Sequence, residues 1–187
     1  MTDPRWTKAM VDEMATLEKN NTWDLVFLPR GKKTVGCKWV FTIKYKDDGT
    51  MERYKALLVA KGYTQSYGVD YQETFAPVGK LNTVRILLPL AANQNWPLLQ
   101  FDVKNAFLHR KISKEIYMNS PPGMTNSIGM KIWKLKKALY GLKQSLRAWF
   151  GRITKSMKAF GYRASNSDHT LFFKREKGRI IALIIYM

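Results

Sequence analysis

Val35-Gly-Cys-Lys-Trp-Val-Phe-Thr-Ile-Lys-Tyr45, then Lys46-Asp-Asp-Gly49, then Met51-Glu-Arg-Tyr-Lys-Ala-Leu-Leu-Val-Ala-Lys61, reads as two strands joined by a tight turn. Val40, Thr42 and Tyr45 are strand formers, and Asp48-Gly49 is a strong turn signal, so the spacing predicts a β-hairpin. Upstream, a helix is expected. Asp3 is placed to cap it, Pro4 suits its first position, and Trp6, Met10, Met14 and Leu17 recur near helical spacing until Asn20-Asn21. Trp23 to Leu28 reads as a short strand stopped by Pro29-Arg-Gly31.

Downstream, Gly62 to Val78 is loop-like and rich in Gly, Tyr and Gln. A second helix is expected from Asn82 or Thr83 to about Asn95, with Val84, Leu87, Leu88 and Ala91 on one face. Pro89 falls inside it, where a proline removes a backbone hydrogen bond and costs roughly 3 kcal/mol or forces a kink. Pro97 then precedes an expected buried strand, Leu98 to Val103. Further strands are expected at Ile112 to Met118 and Lys131 to Leu135. A helix follows at Gln144 to Phe160, its stripe formed by Leu146, Trp149, Phe150, Ile153, Met157 and Phe160. The chain closes on a hairpin, Thr170 to Lys174 and Arg179 to Tyr186, whose second arm is apolar on both faces and reads as a central strand. Hairpin, helix, strand, helix, hairpin is an α+β order.

The chain has 187 residues, with 32 Lys+Arg against 14 Asp+Glu, a formal net charge of +18. Hydrophobic residues at 45% and aromatics at 13% argue against a disordered basic tail. No apolar run is long enough for a membrane helix, and Met-Thr-Asp-Pro-Arg-Trp6 has no secretory pattern, so no membrane role is expected. A single cysteine, Cys37, allows no intramolecular disulfide and fits a reducing, intracellular compartment. Two distant histidines, His109 and His169, make neither a zinc site nor a hydrolase triad, and no Walker-type loop occurs. Polyanions are the expected partners. The charge is concentrated: Ile116 to Ser167 contains no acidic residue, while Lys131 to Lys158 supplies nine Lys/Arg interleaved with aromatics such as Trp133, Tyr140 and Trp149. Such a stretch can follow a phosphate backbone and stack bases, or it can be a solvated helix face with its aromatics in the core.

Asp102 stands near the end of the expected strand in Leu98-Leu-Gln-Phe-Asp-Val-Lys-Asn-Ala-Phe107. A carboxylate buried there has to be paired, hydrogen-bonded or bound to a metal. An ion pair with Lys104 is one solution. A metal site is the other, but one aspartate does not make a two-metal phosphoryl-transfer centre. Asp168 is the nearest partner carboxylate, although Ser165-Asn-Ser-Asp-His-Thr170 looks like a turn in which it caps the backbone.

Ten segments together resemble the copia-type reverse transcriptase of long-terminal-repeat retrotransposon pol polyproteins. They are Asp3-Pro-Arg-Trp-Thr-Lys-Ala-Met10, Asn21-Thr-Trp-Asp-Leu-Val26, Lys38-Trp-Val-Phe41, Leu58-Val-Ala-Lys-Gly-Tyr-Thr-Gln65, Glu73-Thr-Phe-Ala-Pro-Val78, Phe101-Asp-Val-Lys-Asn-Ala-Phe-Leu-His109, Ile116-Tyr-Met118, Pro121-Pro-Gly123, Ala138-Leu-Tyr-Gly-Leu-Lys-Gln-Ser145 and Arg147-Ala-Trp-Phe150. The resemblance covers the whole chain in order. It implies a right-hand polymerase of α+β build with an antiparallel palm sheet packed on helices. The lobes would be fingers over about 20–80 and 109–142, and palm over 81–108 and 143–187.

The activity implied is RNA-directed DNA synthesis from deoxynucleoside triphosphates on a primer–template, with Mg²⁺. Asp102 would be the first catalytic, metal-binding carboxylate, and the Val103 carbonyl a further oxygen ligand. Lys55 and Lys61 on the fingers hairpin, Phe107 as an aromatic gate and Gln144 would meet the incoming nucleotide. Lys143, Arg147 and Arg152 would meet nucleic acid. A cytoplasmic retrotransposon particle, or the nucleus, is the expected location.

This chain also departs from the family pattern. In the family the last strand continues as Tyr-Val-Asp-Asp, whereas Tyr186-Met187 stops one position before the first aspartate. The expectation is therefore a partial domain, lacking two of three catalytic carboxylates, the thumb, and the neighbouring ribonuclease H and integrase, and inactive alone. Leu57 stands where an arginine is usual, Pro89 where a serine is, Arg110 where a glycine is, and Leu146 where a proline is. A non-catalytic nucleic-acid-binding remnant, and an unstable pseudogene product, are the alternative readings.

Overall fold

The computed structural model describes residues 3–68, 70–71, 74, 76–103, 111–123 and 131–186. In chain order its elements are α1 (Pro4–Lys19), β1 (Trp23–Val26), β2 (Thr34–Val35), β3 (Cys37–Tyr45), β4 (Met51–Ala60), a 3₁₀ turn (Gly62–Thr64) and α2 (Leu81–Asn93). They continue with β5 (Lys111–Met118), β6 (Ile132–Lys137), α3 (Ser145–Ala159), β7 (Arg163–Ala164), β8 (Leu171–Glu176) and β9 (Arg179–Ile184). Two compact units result: Met1–Thr74 with Asn105–Ala148, and Phe75–Lys104 with Trp149–Met187.

The first unit contains a four-stranded sheet in the order β1-β6-β5-β2, and the β3–β4 hairpin. β6 lies antiparallel to both β1 and β5, whereas β2 pairs with β5 in parallel. α1 begins as its sequence dictates: Asp3 accepts a hydrogen bond from the Arg5 N–H at 2.9 Å, and Pro4 needs no partner for a missing donor. The helix lays Trp6 edge-on against Phe41 and Tyr54 of the hairpin, with ring centres 5.1 and 4.6 Å apart. Met14 and Leu17 reach a core shared with Leu58, Ile116, Met118, Trp133, Leu135, Leu139 and Leu142. Trp23 stacks on Trp133 at 3.8 Å.

The second unit contains an antiparallel sheet in the order β7-β8-β9. Phe172 and Ile185 pack with Phe150 of α3, and Trp149, Ile153 and Met157 cover them. α2 carries Pro89 inside it, as expected, at the cost of one backbone hydrogen bond. Two expectations fail here. Leu98 to Val103 is not a strand: it has no ladder partner among the described residues, and Leu99 and Phe101 are 77% and 75% exposed. Alternation alone buries a face only when a neighbouring strand completes the backbone bonds. For the same reason β9 is not central but the edge of the described sheet, with Ile180 and Ile181 exposed.

Candidate nucleic-acid interface

In the first unit, the hairpin separates its side chains by strand parity. Cys37, Trp39, Phe41 and Ile43 with Tyr54, Ala56, Leu58 and Ala60 form the covered face. The opposite face carries Lys38, Val40, Thr42 and Lys44 against Arg53, Lys55, Leu57 and Val59, and it holds four cations and no acid. Lys44 stands directly opposite Arg53, and like charges in that position are destabilising. Glu52, next in sequence, reaches Arg53 only at 3.7 Å. On the four-stranded sheet, by contrast, acids are matched: Lys136 meets Asp24 at 2.8 Å, and Lys134 meets Glu115 at 2.6 Å. Lys134, through its hydrogen bond, and then Lys32 hold the Glu115 carboxyl below its usual range. On the hairpin face compensation is looser: besides Glu52 at Arg53, Glu13 lies near enough to Lys55 to feel its charge.

The strand end of β4 meets the turn before α3. The Ala60 N–H donates to the Tyr140 carbonyl at 2.8 Å, and the Lys61 N–H to the Gly36 carbonyl at 2.7 Å. The approach demands glycine on both sides. A Cβ at Gly62 would collide with the Gly141 carbonyl oxygen, and one at Gly141, whose φ is +87°, with the Ala60 carbonyl oxygen. Gln65, only 7% exposed, fixes the junction. Its Oε1 accepts the Lys143 N–H at 2.9 Å, and its Nε2 donates to Gln144 Oε1 at 3.2 Å. Ser145 Oγ donates to the Leu139 carbonyl at 2.7 Å.

Lys61, Lys143 and Gln144, far apart in sequence, thus share one small region, while Lys55 lies on the exposed face of β4. Arg147 and Arg152 are exposed on α3. Sequence reasoning assigned no role to Gln65. A buried glutamine beside a glycine that admits a second backbone is the signal that marks it.

In the second unit, Asp102 and Val103 are exposed in the irregular segment that follows α2. The expected burial of Asp102 is not observed, because the strand that would bury it does not form. Phe107 lies outside the described residues. Asp168 is the buried carboxylate instead, 3% exposed. Its Oδ2 accepts the Lys80 N–H at 3.1 Å and the Thr83 hydroxyl at 2.6 Å, while Oδ1 accepts the Thr170 N–H at 3.0 Å and the Thr170 hydroxyl at 2.7 Å. Burial pushes this carboxyl up, but the hydrogen bonds from Thr83, Thr170 and Lys80 outweigh it and hold it at about 2. Asp168 is a cap, at the start of β8 and at the N-terminal end of α2, where a negative charge is favoured.

Mg²⁺ takes several oxygen ligands in a tight octahedron. Among the described residues no group of three or more His, Cys, Asp or Glu stands close enough to hold a metal ion. Asp168 is already saturated by four donors. The described residues therefore do not form a two-metal centre around Asp102. No described helix is long and apolar enough to cross a membrane.

The chain is a member of the reverse transcriptase (RNA-dependent DNA polymerase) family, whose model matches residues 20–187. More particularly, it is the reverse transcriptase domain of a copia-type Pol polyprotein. It is 44% identical over 187 residues to the retrovirus-related Pol polyprotein from transposon RE1 of Arabidopsis thaliana, covering 99% of this chain and 13% of that protein. It is 44% identical over 183 residues to the corresponding polyprotein from transposon TNT 1-94 of Nicotiana tabacum, covering 96% and 14%. An uncharacterized mitochondrial protein of Arabidopsis thaliana, AtMg00820, is 46% identical over 89 residues, 48% of this chain and 52% of that one. The chain thus spans about one-eighth of the length of the Pol polyproteins it matches. No solved structure matches it.

Proposed function

We propose that this chain supplies the fingers and palm of an RNA-directed DNA polymerase, the first unit acting as fingers and the second as palm. The observation that carries the reading is the hairpin face of Lys38, Lys44, Arg53 and Lys55, which tolerates Lys44 opposite Arg53. A like-charge cross-strand pair that weakens the hairpin is relieved when a polyanion lies across it. Lys55, Lys61 and Gln144 then face the triphosphate, with Phe107 as the gate, while Lys143, Arg147 and Arg152 contact primer–template. Asp102 and the Val103 carbonyl are the start of a metal site, and Mg²⁺ there would stabilise the charge of phosphoryl transfer. Because the described residues supply too few oxygen ligands, no catalytic step is assigned to this chain alone. A particle in the cytoplasm, or the nucleus, is the compartment in which such a polymerase would meet its template.

The test is fluorescence anisotropy with a labelled RNA–DNA primer–template across a salt series, run beside primer extension. Binding should be tight at low salt and fall linearly in log K against log salt, with a slope reduced by about 0.7–0.9 in Lys44→Gln and again in Lys55→Gln. Primer extension should stay at background in both the native chain and Asp102→Asn. Absent or salt-insensitive binding refutes the polynucleotide reading. Incorporation that depends on Mg²⁺ and is abolished by Asp102→Asn refutes inactivity alone.

A further inference from the structure

Within the first unit, the side chains of Gln65 and Gln144 form a chain of hydrogen bonds that runs in one direction only. Gln65 Oε1 accepts the Lys143 N–H at 2.9 Å, Gln65 Nε2 donates to Gln144 Oε1 at 3.2 Å, and Gln144 Nε2 donates to the Asp70 carbonyl at 3.4 Å. Both ends are backbone groups whose sense is fixed by chemistry: an N–H can only donate, and a carbonyl can only accept. The Lys143 N–H therefore turns the oxygen of Gln65 toward itself and leaves the Gln65 NH₂ for its neighbour. Gln144 has to meet that NH₂ with its own oxygen. Its NH₂ is left at the far end, as a donor and never as an acceptor.

The anchors at both ends are firm. Gln65 is 7% exposed and sits where Gly62 and Gly141 bring two stretches of backbone together. Asp70 is tied to Ser66 twice: its carboxylate accepts the Ser66 N–H at 2.7 Å, and its own N–H donates to the Ser66 carbonyl at 2.9 Å. Hydrogen bonds linked head to tail in this way polarise one another, so the chain resists reversal.

A joint between this loop and the turn before α3 needs less. The bond from the Lys143 N–H to Gln65 already closes it. Carrying the chain on to Gln144, which is partly exposed, immobilises a long, rotamer-rich side chain. The last bond, at 3.4 Å, is too long to return much. Holding a side chain in advance does favour a ligand, whose binding then no longer has to order it. A carboxamide NH₂ carries two hydrogens, and among the described residues only the Asp70 carbonyl takes one of them. The ligand that suits a fixed donor presents acceptors, as the oxygens of a triphosphate do at neutral pH. We propose that Gln65 is a positioning residue for an incoming nucleotide: it orients Gln144 so that the Gln144 NH₂, and not its carbonyl, meets an oxygen of the triphosphate. The inference rests on the nucleotide role proposed above for Gln144, and adds the residue that sets which end of Gln144 is presented.

The experiment titrates deoxythymidine triphosphate into the full 187-residue chain carrying ¹⁵N-labelled glutamine, and follows the side-chain NH₂ signals of Gln144. In the native chain they should shift as the nucleotide binds. Gln144→Ala and Gln65→Met should each weaken binding by roughly 10- to 100-fold. The two together should bind no worse than Gln144→Ala alone, because Gln65 acts through Gln144. Gln65→Glu keeps an acceptor for the Lys143 N–H, and with it the junction, but at pH 8 its carboxylate turns Gln144 round to face it with the NH₂. The Gln144 signals of that variant should no longer answer to triphosphate, while its urea midpoint stays near the native one. If Gln65→Met does not fold, the Gln65→Glu spectrum decides alone. Losses that add in the double variant, or Gln144 signals that still shift in Gln65→Glu, would each overturn the positioning role. Binding weakened by Gln144→Ala but not by Gln65→Met sinks the inference and leaves the nucleotide reading standing. Binding indifferent to Gln144→Ala, or no triphosphate binding by the native chain, removes Gln144 from the nucleotide site and the inference with it.

Discussion

The two units handle apolar residues differently. In the first, twelve buried residues from α1, three of its sheet strands, both hairpin strands and the turn before α3 form one core, and Trp23 closes it by stacking on Trp133. In the second, only Phe150, Phe172 and Ile185 are buried together among the described residues. There Ile86 and Leu88 of α2, Leu98, Leu99 and Phe101 after it, and Ile180 and Ile181 of the edge strand all face solvent. The difference teaches that a sequence rich in apolar residues yields a closed core only where strands find ladder partners on both sides. The first unit is held by packing. The second leans more on a polar device, the Asp168 clamp that joins the N-terminal end of α2 to the start of β8.

The hardest test of that contrast truncates the centre of each core. Trp133, 1% exposed, and Phe172, fully buried, are the largest side chains enclosed in their units. Trp133→Ala should cost about 3–5 kcal/mol in urea unfolding, from lost transfer energy and the cavity left behind. Phe172→Ala should fall at or below the low end of that range, because fewer buried neighbours surround it. Equal or greater damage from Phe172→Ala would break the distinction between the two cores.

The clamp gives a smaller effect with a pH signature. The Asp168 carboxyl titrates at about 2 in the folded chain against an ordinary 3.8. A depressed folded value means that the charged form stabilises the fold, fully above about pH 4. The contribution shrinks as pH falls through the window from about 4 to about 2, and is gone below it. A carboxyl held that far below its ordinary value stabilises the fold by about 2 kcal/mol at neutral pH. Asp168→Asn should lose a similar amount there and should remove the excess acid sensitivity, read as the shift in urea midpoint between pH 7 and pH 3. An Asp168→Asn chain whose melt keeps the native acid dependence would show that other carboxylates set it.

These contrasts also explain what was legible in the sequence. The hairpin, α1 with its Asp3 cap, and α3 were readable because each is specified locally, by strand formers beside Asp48-Gly49, by Asp3-Pro4, and by an apolar stripe ending at Gly161. The family was readable because many short segments recur in order. Pairings were not. Nothing in Thr34-Val35 says that it lies parallel to Tyr117-Met118, and nothing in Leu98 to Val103 reveals whether a neighbour completes its ladder. The Asp168 turn was expected from Asp168-His-Thr170, but its reach to Thr83, 85 positions away, is a product of the tertiary fold. Gln65 was hidden for the same reason: its partners lie 78 and 79 residues downstream.

The smallest expected change in stability carries the sharpest statement about the hairpin. Leu57 is half-buried on the basic face, opposite Val40 and between Lys55 and Val59. An arginine there keeps an apolar stem against Val40 and sends its guanidinium to solvent. Leu57→Arg should therefore shift unfolding by no more than about 0.5 kcal/mol, since it adds one more like charge to a face that already tolerates several. Its effect on binding should be larger: tighter primer–template affinity at low salt, and a salt slope steeper by about 0.9 for each added phosphate contact. The two readouts separate the possible failures. A destabilised chain would mean that Leu57 is a packing residue and that the first unit's core extends onto this face. An unchanged melt with an unchanged slope would mean that the phosphate backbone does not cross the hairpin, and the excess positive charge of its exposed face would then need another explanation.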